Sequence, residues 1–114
     1  MDHLTRRLML FDLYGELLTQ RQRDVYDFYY QEDLSLGEIA ELWQVSRASV
    51  HDLLRRTEKG LERYEEALSL LDAHIRREQI LQSLSDCLEA GADAIPEEWH
   101  HRLKAYVADL KSSL

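Results

Sequence analysis

The sequence contains few of the residues that build loops, disulfide frameworks and membrane spans. Among its 114 residues are one proline, four glycines and one cysteine. So few helix breakers predict a mostly helical chain, and a lone cysteine excludes an intramolecular disulfide framework. No apolar run approaches the roughly 20 residues that span a bilayer, and the N-terminus lacks the apolar core of a signal peptide. We therefore expect a cytoplasmic protein without membrane insertion.

The sequence is instead rich in charge, and its apolar residues recur at helical spacing. Apolar residues make up 45% and charged residues 32% of the chain, and the formal net charge is -8. Apolar positions repeat every three or four residues and no strand pattern occurs, which predicts an all-α fold. We expect a helix-turn-helix domain in residues 1–71 and a C-terminal extension of long helices in residues 72–114, used for dimerisation or docking.

The residue pattern brings together no groups typical of catalysis or metal binding. The five histidines are not spaced with acids or thiols as metal ligands on one face. There is no phosphate loop and no nucleophile beside a base, and adjacent acids such as Glu65 and Glu66 point about 100° apart on a helix. We therefore expect no enzyme, no metal and no cofactor. Cys87 falls on the apolar side of a helical pattern, which predicts a buried thiol.

Residues 34–56, "LSLGEIAELWQVSRASVHDLLRR", have the pattern of a helix-turn-helix. Ser35 with Glu38, and then Ser46, are capping residues that predict the starts of two helices. Ala40 is small, as required where the second helix crosses the first. The turn position often held by glycine is Gln44, which predicts either a steric cost or a slightly different turn. The apolar residues expected to pin the two helices together are Ile39, Trp43, Val45, Val50 and Leu53.

Apolar residues continue beyond this motif at alternating spacings of four and three. They are Val50, Leu54, Thr57, Leu61, Tyr64, Leu68, Leu71 and Ile75. A straight helix over this seam would be roughly 37 Å long, more than a compact three-helix unit can cover. Either Gly60 breaks the helix, or its far half packs against another chain. We favour a continuous or bent helix with dimerisation along the seam.

The exposed side of the second helix predicts contact with nucleic acid. Residues 46–63 contain five basic and three acidic residues, although both halves of the chain are acidic. The side chains placed to reach base edges are Arg47, Ser49, His51 and Asp52. Those placed to meet phosphates are Arg55, Arg56 and Lys59. The alternative is a solvated face with ion pairs such as that of Arg55 with Glu58. The surrounding acid disfavours tight binding by a monomer and favours a homodimer.

The region from residue 10 to residue 71 resembles the YlxM family of small bacterial helix-turn-helix proteins. The resemblance rests on "YY" at 29–30, "LSLGEIAE" from Leu34, "VSR" at 45–47 and "RTE" at 56–58. The same region is similar to the C-terminal DNA-binding region of sigma factors. Both resemblances imply a winged-helix-like or sigma-region-4-like domain.

The YlxM resemblance also implies a biological setting. Genes of that family neighbour those of the signal recognition particle GTPase and its receptor. The implied function is that of a regulatory or accessory protein in membrane-protein targeting, which binds the particle's RNA or its GTPase. The alternative is a dimeric DNA-binding transcriptional regulator.

Overall fold

The computed structural model describes residues 1–113 and builds them almost entirely from α-helices. These are α1 (His3–Tyr14), α2 (Gln20–Tyr26), α3 (Leu36–Trp43), α4 (Arg47–Leu68), α5 (Leu70–Ala90) and α6 (Glu97–Ser112). Over that range there is no strand, and the predicted all-α class is confirmed. Within the same range no helix is both long and apolar enough to cross a membrane. The chain divides into two compact units, Met1–Leu71 and Asp72–Leu114.

Side-chain caps start α2, α3 and α4 of the first unit, and those of α3 and α4 are at the predicted residues. Thr19 and Gln22 form a reciprocal capping box before α2, and Ser35 and Glu38 form another before α3. Ser46 accepts a hydrogen bond from the backbone N–H of the third residue of α4 at 3.1 Å. Each cap satisfies N–H groups that a helix start leaves without a partner. These starts therefore follow from local sequence chemistry.

The predicted continuous helix across the seam is wrong at Ser69. Gly60 lies inside α4 without interrupting it, but α4 ends at Leu68 and Ser69 adopts a left-handed backbone with φ 54°. The first half of the seam is also unavailable to a partner chain, because Val50 and Leu61 are buried within the first unit. Dimerisation along these positions is therefore excluded by their own packing.

A buried polar network holds the junction of α4 and α5. Glu65 is 4% exposed, and its Oε1 accepts from the Tyr14 hydroxyl at 2.6 Å and from the Leu71 N–H at 2.9 Å. The Tyr14 hydroxyl in turn accepts from the Leu70 N–H at 3.0 Å. A carboxylate at the positive end of a helix is favourable. This network accepts hydrogen bonds from the first two N–H groups of α5, as an N-cap side chain would, and so determines where α5 begins.

In the second unit, α6 folds back beside the C-terminal part of α5. His100 Nε2 donates to the Leu88 carbonyl at 3.1 Å, and Lys104 lies 3.3 Å from Glu89. Leu81 and Val107 are the large apolar side chains that this unit buries among its described residues. The prediction of a buried thiol is wrong, because Cys87 is exposed.

Candidate nucleic-acid interface

The corner between α3 and α4 is tightly packed and closes with a left-handed residue. Ile39, Ala40 and Val50 are at most 6% exposed, as expected for residues that pin the two helices. Val45 departs from that expectation because it is 41% exposed. Gln44 takes the conformation that glycine often supplies, with φ 57° and ψ 45°, and its Nε2 donates to the Glu41 carbonyl at 2.8 Å. The turn is therefore of the usual kind, at some steric cost.

An aromatic contact fixes α3 against the preceding helix. The Arg21 guanidinium lies 3.6 Å from the ring centroid of Trp43, and Phe28 meets the same ring edge-on at 5.9 Å. A guanidinium over an indole face is a favourable cation–π contact. Arg21 was not singled out from the sequence, because nothing in its local pattern indicates a partner 22 residues away. The contact makes the corner a rigid platform for α4.

The structure places all the predicted contact residues on the exposed surface of α4. Two of them are bound to each other, since Arg56 Nη2 lies 3.2 Å from Asp52 Oδ2. The hydroxyl of Ser49 donates to the Ser46 carbonyl at 2.9 Å, so it faces a ligand as an acceptor. The residues of this predicted site are Arg47, Ser49, His51, Asp52, Arg55, Arg56 and Lys59. Their contact with nucleic acid stays a prediction.

Four-residue spacing joins several of these side chains into one row along α4. The row, here called the basic ridge, consists of Arg47, His51, Arg55, Lys59 and Arg63. Its members follow one another at about 6 Å along the axis, so the ridge is about 24 Å long. Arg63 is one of the five basic residues in residues 46–63 but was not predicted as a contact. The regular spacing is the signal that could have identified it.

The far end of the ridge opens into a cleft between α1 and α4. The cleft has a volume of about 520 Å³, and Arg55, Lys59 and Arg63 line its α4 side. Three basic side chains of α1 line the other side, namely His3, Arg6 and Arg7. The α1 residues were missed because the sequence does not show which helix packs against α4. Cationic groups from two helices therefore converge on one surface.

Three acids also line this cleft, Glu58, Glu62 and Glu66, and the first two contact arginines of α1. Glu62 accepts two hydrogen bonds from Arg6, at 2.8 and 3.0 Å, and this pairing lowers the pKa of the Glu62 carboxyl below its ordinary 4.5. The predicted pairing of Arg55 with Glu58 is wrong. Glu58 instead accepts from the Tyr30 hydroxyl at 2.5 Å and lies 3.6 Å from Arg7.

Burial makes the phenol of Tyr30 in this cluster harder to ionise. It raises the pKa of Tyr30 above the ordinary value of 10.0, and the hydrogen bond to Glu58 acts in the same direction. A protonated phenol can donate to a carboxylate, whereas a phenolate cannot. Tyr30 therefore holds Glu58 in place, and the cationic side chains of α4 remain directed to solvent.

These features define a helix-turn-helix protein: two capped helices, a left-handed residue in the turn, and a second helix exposed along one side. The chain belongs to the UPF0122 family, whose model is described as "Putative helix-turn-helix protein, YlxM / p13 like" and matches residues 1–98. The resemblance seen in the sequence is thereby confirmed.

Relatives with this family name occur in several bacteria. The chain is 48% identical to a UPF0122 protein of Geobacillus kaustophilus over 96 residues, which covers 82% of this chain and 87% of the relative. It is 51% identical to one of Oceanobacillus iheyensis over 84 residues, 74% of this chain and 80% of the relative. A UPF0122 protein of Halalkalibacterium halodurans is 48% identical over 92 residues, 81% of this chain and 84% of the relative.

Proposed function

We propose that this protein is a regulator that binds double-stranded DNA with the first turns of α4 in the major groove. The observation that carries the proposal is the start of α4, which stands exposed on the rigid corner formed with α3. The major groove of B-DNA is about 12 Å wide and admits a helix. The corresponding groove of A-form RNA is too deep and narrow for side chains to read. The geometry thus favours duplex DNA over duplex RNA.

The side chains at this end divide into two roles by their chemistry. Arg47 can donate to guanine and His51 to either a base edge or a phosphate, while Asp52 can accept from the cytosine amino group. Arg55 and Lys59 stand farther along α4, where they would meet the phosphates at the rim of the groove. Arg56 is paired with Asp52 at 3.2 Å, so its contribution to affinity is smaller.

The charge of the first unit supports a homodimer as the binding form. Residues 1–71 contain nine basic and fourteen acidic residues, so one copy neutralises few phosphates and repels the rest of the duplex. Two copies that present their α4 helices about 34 Å apart would contact successive turns of the major groove. The second contact would then be intramolecular and compensate for a weak first one.

An accessory role in the signal recognition particle pathway is the second candidate. It is supported by the YlxM resemblance and by the length of the basic ridge. Arg63 lies about 24 Å along α4 from Arg47, farther than the phosphate contacts proposed for Arg55 and Lys59. It can serve a longer folded RNA surface, such as the particle's RNA, whereas the acidic remainder of the unit suits a basic surface on its GTPase. Either role involves binding, not catalysis, and belongs in the cytoplasm.

Fluorescence anisotropy at low salt distinguishes the two candidates. Labelled duplex DNA enriched from a random pool is compared with signal recognition particle RNA and with a non-cognate RNA hairpin of equal length. DNA binding by α4 predicts that Arg47→Ala weakens duplex affinity at least tenfold, whereas the exposed control Arg76→Ala leaves it unchanged. Preference for the particle's RNA would favour the second candidate. If the protein retains the purified GTPase in the absence of RNA, the second candidate acts by binding protein. If the protein binds no duplex DNA at low salt, the first candidate is refuted.

A further inference from the structure

The second unit leaves most of its large apolar side chains in solvent. Six of them are between 41% and 64% exposed: Ile80, Leu84, Trp99, Leu103, Tyr106 and Leu110. Isolated apolar side chains on a surface are ordinary, but contiguous patches mark interaction sites. In this unit the exposed apolar side chains outnumber those that are buried. Two helices that bury so little between them require a further partner.

These side chains form ordered stripes and are not scattered. Ile80 and Leu84 are four residues apart on α5, and the four on α6 follow spacings of four, three and four. Such spacing keeps each stripe on one side of its helix. The two stripes also meet, because Ile80 and Leu110 line a shared cleft of about 420 Å³. The hairpin of α5 and α6 therefore presents one continuous apolar face, here called the hairpin face.

We propose that the hairpin face binds the hairpin face of a second copy, so that two α5–α6 hairpins form a four-helix bundle. This rests on the homodimer of the proposed function and identifies its interface. A helical hairpin with apolar stripes of average period 3.5 is half of such a bundle. A two-fold axis brings the same patch of each copy together, and the apolar face is complementary to itself.

The available area matches what a stable dimer needs. A large apolar side chain presents roughly 150–250 Å² when fully exposed, so the six exposed fractions amount to about 600 Å² per copy. Two faces would bury about 1,200 Å², which reaches the range of specific interfaces before any polar rim is added. A small patch for a transient contact would be well below this value.

The charge of the unit indicates that apolar burial drives the pairing. Residues 72–114 contain five basic and eight acidic residues, so two copies repel each other weakly. Added salt screens this repulsion. The dimer should therefore be at least as tight at 500 mM salt as at 50 mM, whereas nucleic-acid binding weakens steeply with salt. The two properties can be separated by this opposite dependence.

Cys87 provides a reporter at the interface. It lies seven residues after Ile80, two helical turns along the same stripe, and it is exposed in a single copy. Pairing of the hairpin faces would cover this thiol. The wild-type chain contains no other cysteine, so its reaction with a thiol reagent reports on this position alone.

Sedimentation equilibrium and thiol labelling of the full chain test the proposal. We expect Ile80→Gln with Leu110→Gln to raise the monomer–dimer dissociation constant at least 100-fold. The matched control, Leu17→Gln with Leu42→Gln, replaces leucines of similar exposure in the first unit and should leave the constant unchanged. The labelling rate of Cys87 in wild type should fall at least tenfold from the monomeric to the dimeric concentration range.

Three results would overturn the proposal. They are a wild-type monomer at 200 µM, an unchanged constant in the hairpin-face variant, and a dimer whose Cys87 reacts at the monomer's rate. If the variant loses helicity by circular dichroism, the wild-type labelling experiment still decides. Because no nucleic acid is present, a failure here leaves DNA binding by α4 untouched, and a failure of DNA binding leaves the dimer untouched.

Discussion

At the scale of single residues, Ser69 holds a conformation that glycine would adopt at lower cost. Its φ of 54° lies in the left-handed region, between the last residue of α4 and the first of α5. A non-glycine residue there costs about 1–2 kcal/mol. We predict that Ser69→Gly raises the free energy of unfolding by about 1 kcal/mol, and the midpoint of thermal unfolding by about 4 °C. Ser69→Ala keeps a side chain at this left-handed position and should leave the free energy of unfolding unchanged. A glycine variant that is no more stable than the alanine variant would contradict this prediction.

The Tyr14 hydroxyl is the other residue-scale feature on which the α4–α5 junction depends. It donates to the buried Glu65 and accepts from the Leu70 N–H, so its removal leaves both groups with one partner fewer. We predict that Tyr14→Phe lowers the free energy of unfolding by about 1–3 kcal/mol in urea titrations. The comparison is Tyr64→Phe. The Tyr64 hydroxyl makes an exposed 3.3 Å contact with the Leu17 carbonyl, so its removal should change the free energy of unfolding by less than about 0.5 kcal/mol. Equal effects of the two changes would refute this role for Tyr14.

Residue-scale predictions from the sequence succeeded where the cause was local. Each of the three helices that begin at a capping serine or threonine is capped by a contact with a neighbour three positions away. The junction at Ser69 was not predictable, because its cause is Tyr14, a residue 55 positions earlier that reaches Glu65. The helical period places Cys87 on an apolar side of α5, but it does not show whether that side is covered by another element, and Cys87 is exposed.

At the scale of elements, the Arg6–Glu62 contact joins α1 to α4. Because Arg6 lowers the pKa of Glu62, the pair stabilises the fold fully above about pH 4.5, and this contribution is lost as the pH falls through the lowered pKa. Both side chains are partly exposed, so screening limits the effect to below about 1 kcal/mol.

Glu62→Gln tests this element-scale contact. We predict that the difference in free energy of unfolding between wild type and this variant is greatest near pH 6 and decreases as the pH falls through the lowered pKa of Glu62 towards pH 3. Urea titrations across that range measure it. Glu66→Gln, one turn farther along α4, serves as the control and should show no comparable dependence. A difference that stays constant from pH 6 to pH 3 would contradict the account.

The elements themselves could be predicted well from periodicity, and their partners could not. The period of the seam identified α4 and its buried side, but the same period fits burial against α1 or against a second chain. The structure shows that the first half of the seam is covered within its own unit. The exposed stripes of α5 and α6 carry the same period, so the period alone does not show which of these positions a second copy would cover.

At the scale of the whole molecule, an acidic chain carries a basic surface on its first unit. The basic ridge on α4 and the arginines of α1 meet at one cleft, while the net charge of the chain is -8. The exposed positions of α4 were predictable because a helix-turn-helix exposes fixed positions. The basic side chains of α1 beside them were not, since their position depends on packing between elements far apart in sequence.

The salt dependence of duplex DNA affinity tests the central claim most directly. Each phosphate contact contributes a slope of about -0.9 to the logarithm of the association constant against the logarithm of salt concentration. We predict that Arg55→Gln with Lys59→Gln reduces the magnitude of this slope by about 1.8 for each bound copy, whereas Arg76→Gln with Lys111→Gln leaves it unchanged. A slope identical in both variants and wild type, or no binding at 50 mM salt, would contradict the claim that α4 binds nucleic acid.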